Sequence, residues 1–249
     1  MSEPIKVFGN VGSPYTQKIL SLLRYRNIPY TVSWGDVVHN LSLLKIDPPK
    51  PMLLPTLVFK DENNLNVCKT DTTPIIRELE KLYKPKSVIP SSPVLAFLNY
   101  LLEDFADEWT TKYMFHYRWY FHEDAENAKK MLVLQHKLNI DNESLKLFGD
   151  VIADRQINRL WVVGSNDDTA ELIDKSYKRY LKLLEKHLSV QSFMFGERPS
   201  SSDFGLYGQL TQLVGFDPTP SNIAYKESPR TISWAVSYTH LRAHETAYY

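Results

Sequence analysis

Hydrophobic positions in the first third of the chain follow two different periods. Short apolar or alternating runs predict strands at residues 5–8, 30–34, 53–59 and 65–69. Apolar residues at helical spacing predict one helix beginning at Ser13-Pro14 and another beginning at residues 70–74, with one or two helical turns at residues 41–46. The predicted order is strand, helix, strand, loop, strand, strand, helix.

The rest of the chain repeats only the helical period. Residues 84–90 carry prolines and polar residues and indicate a linker, after which apolar positions recur every three to four residues from Val94 to Trp109. Further helices are predicted at residues 124–139, at residues 143–160 with an interruption near Gly149, and from Asp167 onwards. We therefore expect an α/β domain at residues 1–84, a linker at 85–91 and an all-helical domain at 92–236.

Composition narrows the class of protein. The 249 residues are 43% hydrophobic and 23% charged, with 29 basic and 29 acidic residues, so no bulk charge favours nucleic acid or an anionic membrane. The single cysteine, Cys68, excludes an internal disulfide. The N-terminus lacks the pattern of a secretory leader, and no apolar run reaches about 18 residues. We expect a soluble cytoplasmic protein that binds neither nucleic acid nor membrane.

Ser13-Pro14 marks a helix start that could also hold an anion. Serine is a favoured N-cap residue and proline fits the first helical position. A hydroxyl there lies beside unpaired N–H groups and the positive end of the helix dipole, which suits an anion such as a thiolate. The simpler interpretation is a capped helix with no further role.

Three short motifs carry a resemblance to a known family. Ser13-Pro14-Tyr15-Thr16 resembles the glutaredoxin Cys-Pro-Tyr-Cys motif with both cysteines replaced by hydroxyls. Together with Leu54-Pro55 and Asp71-Thr72, it resembles the N-terminal domain of glutathione transferases. Residues 102–119 and 202–210 also resemble a bacterial-type subgroup of uncharacterised transferase-like proteins. The resemblance implies a thioredoxin-like N-terminal domain followed by an all-α helical bundle.

The resemblance also implies roles for these residues. The Ser13 hydroxyl would donate a hydrogen bond to the sulfur of glutathione, with Tyr15 and Thr16 as alternative hydroxyls. Pro55 would be cis, the Leu54 backbone would pair with the cysteinyl part, and Asp71-Thr72 would receive the γ-glutamyl carboxylate. The simpler alternatives are a trans proline at a strand entry and plain helix caps. The family further implies glutathione as co-substrate and a homodimer.

Two other residues bear on the chemistry. Without a cysteine at position 13, disulfide exchange through a protein thiol is excluded there. Cys68 lies within a predicted strand, where a packed small hydrophobe is a better interpretation than a nucleophile.

Residues 113–121 are unusually aromatic. They could form an apolar wall of a substrate pocket, with Tyr113, His116 and Tyr117 as candidate substrate-binding residues alongside Tyr15, or pack between helices as core. His116 and His122 lack metal-ligand spacing with nearby carboxylates or cysteine, so we predict no metal site.

Two features of the C-terminal region concern how the helical domain folds and where it ends. Ser200 and Asp203 have the spacing of a capping box, which resembles the one in the helical domain of transferases. Residues 237–249 resemble translated sequencing-adaptor sequence and are excluded from the predicted fold.

The leading hypothesis is a glutathione transferase that conjugates the glutathione thiolate to an electrophilic apolar small molecule, with Ser13 stabilising that thiolate. One rival is a protein of the same fold that binds glutathione or a partner without turnover. Another is a glutathione-dependent dehalogenase, ether-cleaving enzyme or isomerase.

Overall fold

The computed structural model describes residues 3–61 and 63–239. The N-terminal part contains, in chain order, β1 (Ile5–Gly9), α1 (Pro14–Tyr25), β2 (Tyr30–Trp34), α2 (Val37–Leu43), β3 (Thr56–Lys60), β4 (Asn66–Lys69) and α3 (Thr72–Leu82). The strands form one sheet in the order β2-β1-β3-β4, in which β1 pairs parallel with β2 and the other neighbours are antiparallel. This confirms the predicted α/β domain with a thioredoxin-like arrangement.

The sheet is covered on both faces. Alternating residues of β1 divide between two clusters, because successive strand residues point to opposite faces. Ile5 and Val7 join the main core with α1 and α3, whereas Phe8 packs with Val37 and Leu41 of α2. α1 therefore runs between the sheet and the second domain, and its N-terminus lies just after β1.

The second part is helical throughout the described residues, as predicted. Its elements are α4 (Pro93–Asp104), a π-helical segment (Phe105–Thr110), α5 (Thr111–Tyr120), α6 (His122–His136), α7 (Asn142–Ile157), a 3₁₀ turn (Leu160–Val163), α8 (Asp167–Leu188), α9 (Ser201–Leu213), α10 (Pro218–Glu227) and α11 (Pro229–Thr239). α4, the π-helical segment and α5 follow one another without a break. π-Helical turns of this kind occur often at functional sites.

The predicted capping box at the start of α9 is present. Asp203 accepts the Ser200 backbone N–H at 2.9 Å through Oδ2, and its Oδ1 accepts the Met194 N–H at 2.9 Å. Burial raises the pKa of the Asp203 carboxyl to about 6 although these hydrogen bonds favour its ionised form. The capping box therefore ties α9 to the preceding loop in the interior of the domain.

The structure differs from the sequence-based expectation near Gly149. The predicted interruption is wrong, because α7 runs continuously through this residue. A Cβ at Gly149 would lie 2.9 Å from the backbone oxygen of Lys129 on α6. The glycine therefore lets two helices approach closely and does not break one of them.

The end of the chain also extends beyond the predicted domain. α11 continues to Thr239, and Tyr238 is buried against Phe204, Tyr207 and Trp234. The first three residues of the segment that we excluded on sequence grounds are thus helical. The remainder of that segment, residues 240–249, lies outside the described residues.

Candidate functional site

A cleft of about 830 Å³ lies between the two domains. The N-terminal domain contributes the loop after β1, the residues before β3 and the start of α3. The helical domain contributes α4, the π-helical segment, α5 and the C-terminal halves of α6 and α7. Five residues selected from the sequence line this one cleft: Ser13, Tyr15, Leu54, Asp71 and Thr72.

Ser13 is both an N-cap and a lining residue of the cleft. Its Oγ accepts a hydrogen bond from the Thr16 backbone N–H at 3.3 Å, and Pro14 occupies the first position of α1. A hydroxyl has one donor hydrogen as well as its acceptor lone pairs. Capping uses a lone pair and leaves the hydrogen available, so the two interpretations of Ser13 are compatible.

The two alternative hydroxyls are engaged elsewhere. The Tyr15 hydroxyl lies 2.7 Å from the backbone oxygen of Asp107, to which it donates, and 2.9 Å from Thr111 Oγ1. Burial raises the pKa of Tyr15 well above its usual value. Thr16 is fully buried, and its Oγ1 accepts from the Asn10 backbone N–H at 3.4 Å. Tyr15 still lines the cleft, but its hydroxyl holds the two domains together.

The opposite wall combines a cis proline and a helix start. The Leu54–Pro55 peptide bond is cis, as the family resemblance implied, and Pro55 is buried immediately before β3. Asp71 has a φ of +69° and caps α3 by accepting from the Thr73 N–H at 3.2 Å. Thr72 is the first residue of α3. Unpaired N–H groups at such a helix start favour a carboxylate ligand.

The three aromatic candidates on α5 do not line the cleft. The Tyr113 ring packs at a tilt of 53° against Tyr177, and the Tyr117 hydroxyl donates to Asp174 Oδ1 at 2.7 Å; both partners lie on α8. His116 is fully buried with its Nδ1 2.7 Å from Ser165 Oγ. These three residues share the helix face that packs on α8, in agreement with the core-packing alternative. The opposite face lines the cleft with Met114, Phe115, Arg118 and Trp119.

A buried ionic cluster forms the base of the cleft and joins the domains. Lys18 of α1 is 1% exposed, and its Nζ lies 2.9 Å from Glu103 Oε1 and 2.5 Å from Asp107 Oδ2. The Thr73 hydroxyl lies 3.1 Å and 3.2 Å from the same two carboxylate oxygens, either of which can accept its one hydrogen. Arg77 pairs with Glu103 Oε2 at 2.8 Å. Sequence reasoning missed this cluster, because its members lie far apart along the chain.

Burial and the neighbouring charges together shift the pKa values of Glu103 and Asp107 in opposite directions from their usual values. Burial disfavours ionised Glu103, but Lys18 and Arg77 outweigh burial and lower its pKa. Burial raises the pKa of Asp107, and the charge of Lys18 offsets this rise only in part. Asp107 Oδ1 has no hydrogen-bond partner among the described residues. Asp107 is therefore the member whose ionisation depends most on Lys18.

Comparisons with known proteins agree with this architecture. Residues 7–87 match the family model for the N-terminal domain of glutathione S-transferases. Glutathione S-transferase U4 of Arabidopsis thaliana is 23% identical over 106 residues, which cover 43% of this chain and 45% of that protein. The matched segment thus spans less than half of this relative.

Solved structures extend the likeness to both domains. A glutathione transferase family member from Pseudomonas fluorescens, crystallised with two glutathione bound, matches with a TM-score of 0.59 at 12% identity, over 96% of this chain and 89% of that chain. The beta-etherase LigF from Sphingobium sp. matches with a TM-score of 0.64 at 16% identity, over 94% of both chains. The N-terminal domain is therefore similar in sequence to that of glutathione S-transferases, and the chain shares the fold of glutathione transferases over both domains.

The described part of the chain contains neither a candidate metal cluster nor a candidate membrane-spanning helix. Residues 3–61 and 63–239 contain no group of three or more histidine, cysteine, aspartate or glutamate side chains placed to hold a metal ion. Within the same ranges, no helix is long and apolar enough to cross a bilayer.

Proposed function

We propose that the protein binds glutathione in the interdomain cleft and transfers its thiolate to an electrophilic apolar small molecule. The start of α3, with Asp71 and Thr72, receives the γ-glutamyl carboxylate, and the Leu54 backbone pairs with the cysteinyl part next to cis-Pro55. The sulfur then lies near Ser13, whose hydroxyl donates to it. The observation that carries the proposal is that Ser13, Leu54 and Thr72 line one cleft.

Ser13 would act by favouring the ionised thiol. A hydrogen bond donated to the sulfur and the positive end of the α1 dipole both stabilise a thiolate and lower the thiol pKa. One donor to a developing anion contributes roughly 2–4 kcal/mol, equivalent to about 30- to 1,000-fold in rate. Cys68 lies on β4 outside this cleft, so the thiol chemistry would belong to the bound glutathione.

The electrophile would occupy the part of the cleft that faces the helical domain. Met114, Phe115 and Trp119 line it from α5, and Leu132 and Ile152 line it from α6 and α7. An apolar wall of this kind favours apolar electrophiles, because burying them removes apolar surface from water.

Replacement of Ser13 tests the mechanism. We expect Ser13→Ala to lower kcat for conjugation at least 30-fold while the protein stays folded. The matched control is Asp141→Ala, which removes the N-cap of α7, whose Oδ1 accepts from Ser144 N–H at 2.8 Å. If Ser13 is only a cap, both variants lose about 1 kcal/mol of stability and neither loses activity. A folded wild-type protein that binds glutathione without turnover would instead favour a non-catalytic binding module.

Ether cleavage is the second candidate activity. The fold likeness to the beta-etherase over 94% of both chains favours it, because the same thiolate could displace an alkoxide or phenoxide from carbon. Parallel assays with an aryl halide and an aryl-alkyl ether would separate the two candidates. Turnover of the ether alone would move the assignment to ether cleavage.

We also propose that the protein forms a homodimer through α4. One face of this helix exposes four large apolar side chains to solvent at spacings of three and four residues, namely Val94, Phe97, Leu98 and Leu101. A contiguous exposed apolar surface of this kind is typical of an interaction surface. We expect Phe97→Asp to give monomers in sedimentation velocity, whereas Leu172→Asp, at an exposed leucine on α8, leaves the dimer intact. A monomeric wild-type protein would contradict this part of the proposal.

A further inference from the structure

The loop that carries Ser13 is anchored from the helical domain. Within the loop, the Ser13 N–H donates to the Asn10 backbone oxygen at 3.1 Å, and the Gly12 N–H donates to Asn10 Oδ1 at 2.9 Å. Two of its backbone oxygens are bound from outside the loop's own domain. Gln212 Nε2 donates to Val11 O at 3.3 Å, and Arg118 Nη1 donates to Gly12 O at 3.0 Å.

Arg118 itself is fixed on every side. Its Nε and Nη2 bind the Asp217 carboxylate at 2.8–3.1 Å, and Nη2 also donates to Gln212 Oε1 at 2.8 Å. The guanidinium carbon lies 4.4 Å from the centre of the Phe216 ring. Arg118 is 3% exposed and lines the cleft. A planar guanidinium held in this way directs the remaining Nη1–H at one fixed point.

We propose that Arg118 is a positioning residue for Ser13, an inference that rests on the function proposed above. The Gly12 oxygen and the Ser13 nitrogen belong to the same planar peptide unit. Binding that oxygen therefore fixes the orientation of the peptide plane from which Ser13 extends. Arg118 sets the direction of the Ser13 hydroxyl without touching the sulfur itself.

Lysine cannot replace Arg118 in this role. An ammonium is a compact charge on a flexible stem, so it cannot present the fixed fork that serves Asp217, Gln212 and Gly12 together. Arg118→Lys thus keeps the positive charge beside Asp217 and loses the alignment of the Gly12 oxygen. This variant therefore distinguishes the positioning effect of Arg118 on the loop from the effect of its positive charge.

A matched control exists at the opposite end of α1, where Arg26 follows the last helical residue. Arg26 is also a buried arginine: its Nη1 pairs with Glu80 at 2.7 Å, and its Nη2 donates to the backbone oxygens of Tyr83 and Pro85. It does not line the cleft. Arg26→Lys therefore reproduces the loss of a buried guanidinium with no effect on the Ser13 loop.

Steady-state kinetics test the effect on the reaction. For Arg118→Lys we expect kcat to fall at least tenfold and the KM for glutathione to change less than threefold. The kcat/KM for the electrophile, measured at saturating glutathione, reports the thiol pKa of the glutathione complex, and we expect the acid limb of this profile to move to higher pH. Gln212→Leu removes one of two donors to the Val11 oxygen, since Gln17 Nε2 still donates to it at 3.1 Å, and it removes one acceptor of Arg118. We expect this variant to produce a smaller shift in the same direction. Arg26→Lys keeps the wild-type profile. Unchanged kcat and pH profile in Arg118→Lys, or equal changes in Arg26→Lys, would overturn the proposal.

Hydrogen–deuterium exchange gives a readout that needs no turnover. In Arg118→Lys and Gln212→Leu we expect faster exchange of the Gly12 and Ser13 amides, with wild-type exchange elsewhere in α1. If wild type shows neither glutathione binding nor turnover, the proposed function fails, yet exchange still decides whether Arg118 anchors the loop. Wild-type exchange of these amides in both variants would overturn the anchoring.

Discussion

Removal of the Lys18 side-chain charge is the most informative perturbation of the fold. Lys18→Met keeps an unbranched side chain that is one atom shorter but leaves Glu103 and Asp107 without their shared ammonium. Glu103 would keep Arg77 at 2.8 Å and the Ser201 hydroxyl at 2.6 Å. Asp107 Oδ2 would keep only the Thr73 hydroxyl at 3.2 Å among the described groups. The cost therefore falls mainly on Asp107.

These remaining contacts set the expected loss of unfolding free energy. Removing one partner of a buried ion pair costs about 3–5 kcal/mol, because the other charge stays buried and unpaired. We expect Lys18→Met to lower the free energy of unfolding by that amount near neutral pH. The control Lys146→Met breaks a pair on an exposed helix surface, where Lys146 and Asp150 are 2.7 Å apart, and we expect a loss of about 0.5 kcal/mol or less.

The pH dependence provides a second signature. Burial already raises the pKa of Asp107, and loss of Lys18 raises it further above its value in the unfolded chain. At Asp107 the native variant then binds more protons than its unfolded state, so the contribution of this group to stability rises as the pH falls from neutral towards about 5. The deficit relative to wild type should shrink over this range.

Urea unfolding at neutral and mildly acidic pH measures both effects. Adding Asp107→Asn to Lys18→Met should restore most of the lost stability, because the unpaired charge is gone. A Lys18→Met deficit below about 1 kcal/mol, or one that neither acid nor Asp107→Asn reduces, would refute the reasoning.

Two further predictions concern a buried histidine and a helix contact. Burial lowers the pKa of His116 from 6.5 to about 4, so at this group the native protein binds fewer protons than the unfolded chain between these values, and we expect the contribution of His116 to stability to fall by about 2 kcal/mol from pH 7 to pH 5. Thermal unfolding of His116→Gln should lose this part of the pH dependence, and an unchanged profile would contradict the assignment. A Cβ at Gly208 on α9 would lie 2.4 Å from the Pro14 backbone oxygen, so we expect Gly208→Ala to cost about 1–3 kcal/mol in urea unfolding. Gly205→Ala, where the nearest atom is 3.1 Å away, should cost less, and equal effects would count against a steric origin.

Much of the fold could be predicted because local patterns and tertiary structure agree. The alternation of β2 and the capping signals at Ser13 and Ser200 all mark elements that the structure contains. Gly149 misled the prediction because a helix-breaking residue was needed for a close approach between helices. Sequence alone cannot distinguish these two uses of glycine.

The site was predictable only where a motif is local. Ser13 and Asp71-Thr72 stand at helix starts, which sequence marks directly. The cleft-facing side of α5 was not predictable, because residues 113–121 are apolar or aromatic on both faces and present no polar contrast. Arg118 acts on a loop 106 residues earlier in the chain, a contact that only the tertiary structure brings about.

The central claim is that the cleft binds glutathione through the start of α3. Calorimetric titration of the purified protein with glutathione tests it most directly, repeated on Thr72→Ala and on Thr169→Ala, a helix-start threonine on α8 outside the cleft. A hydrogen bond to a charged group contributes about 1.5–3 kcal/mol, so we predict saturable binding that weakens tenfold or more in Thr72→Ala and stays unchanged in Thr169→Ala. Absence of binding by wild type at millimolar glutathione, or equal affinity in all three proteins, would contradict the account.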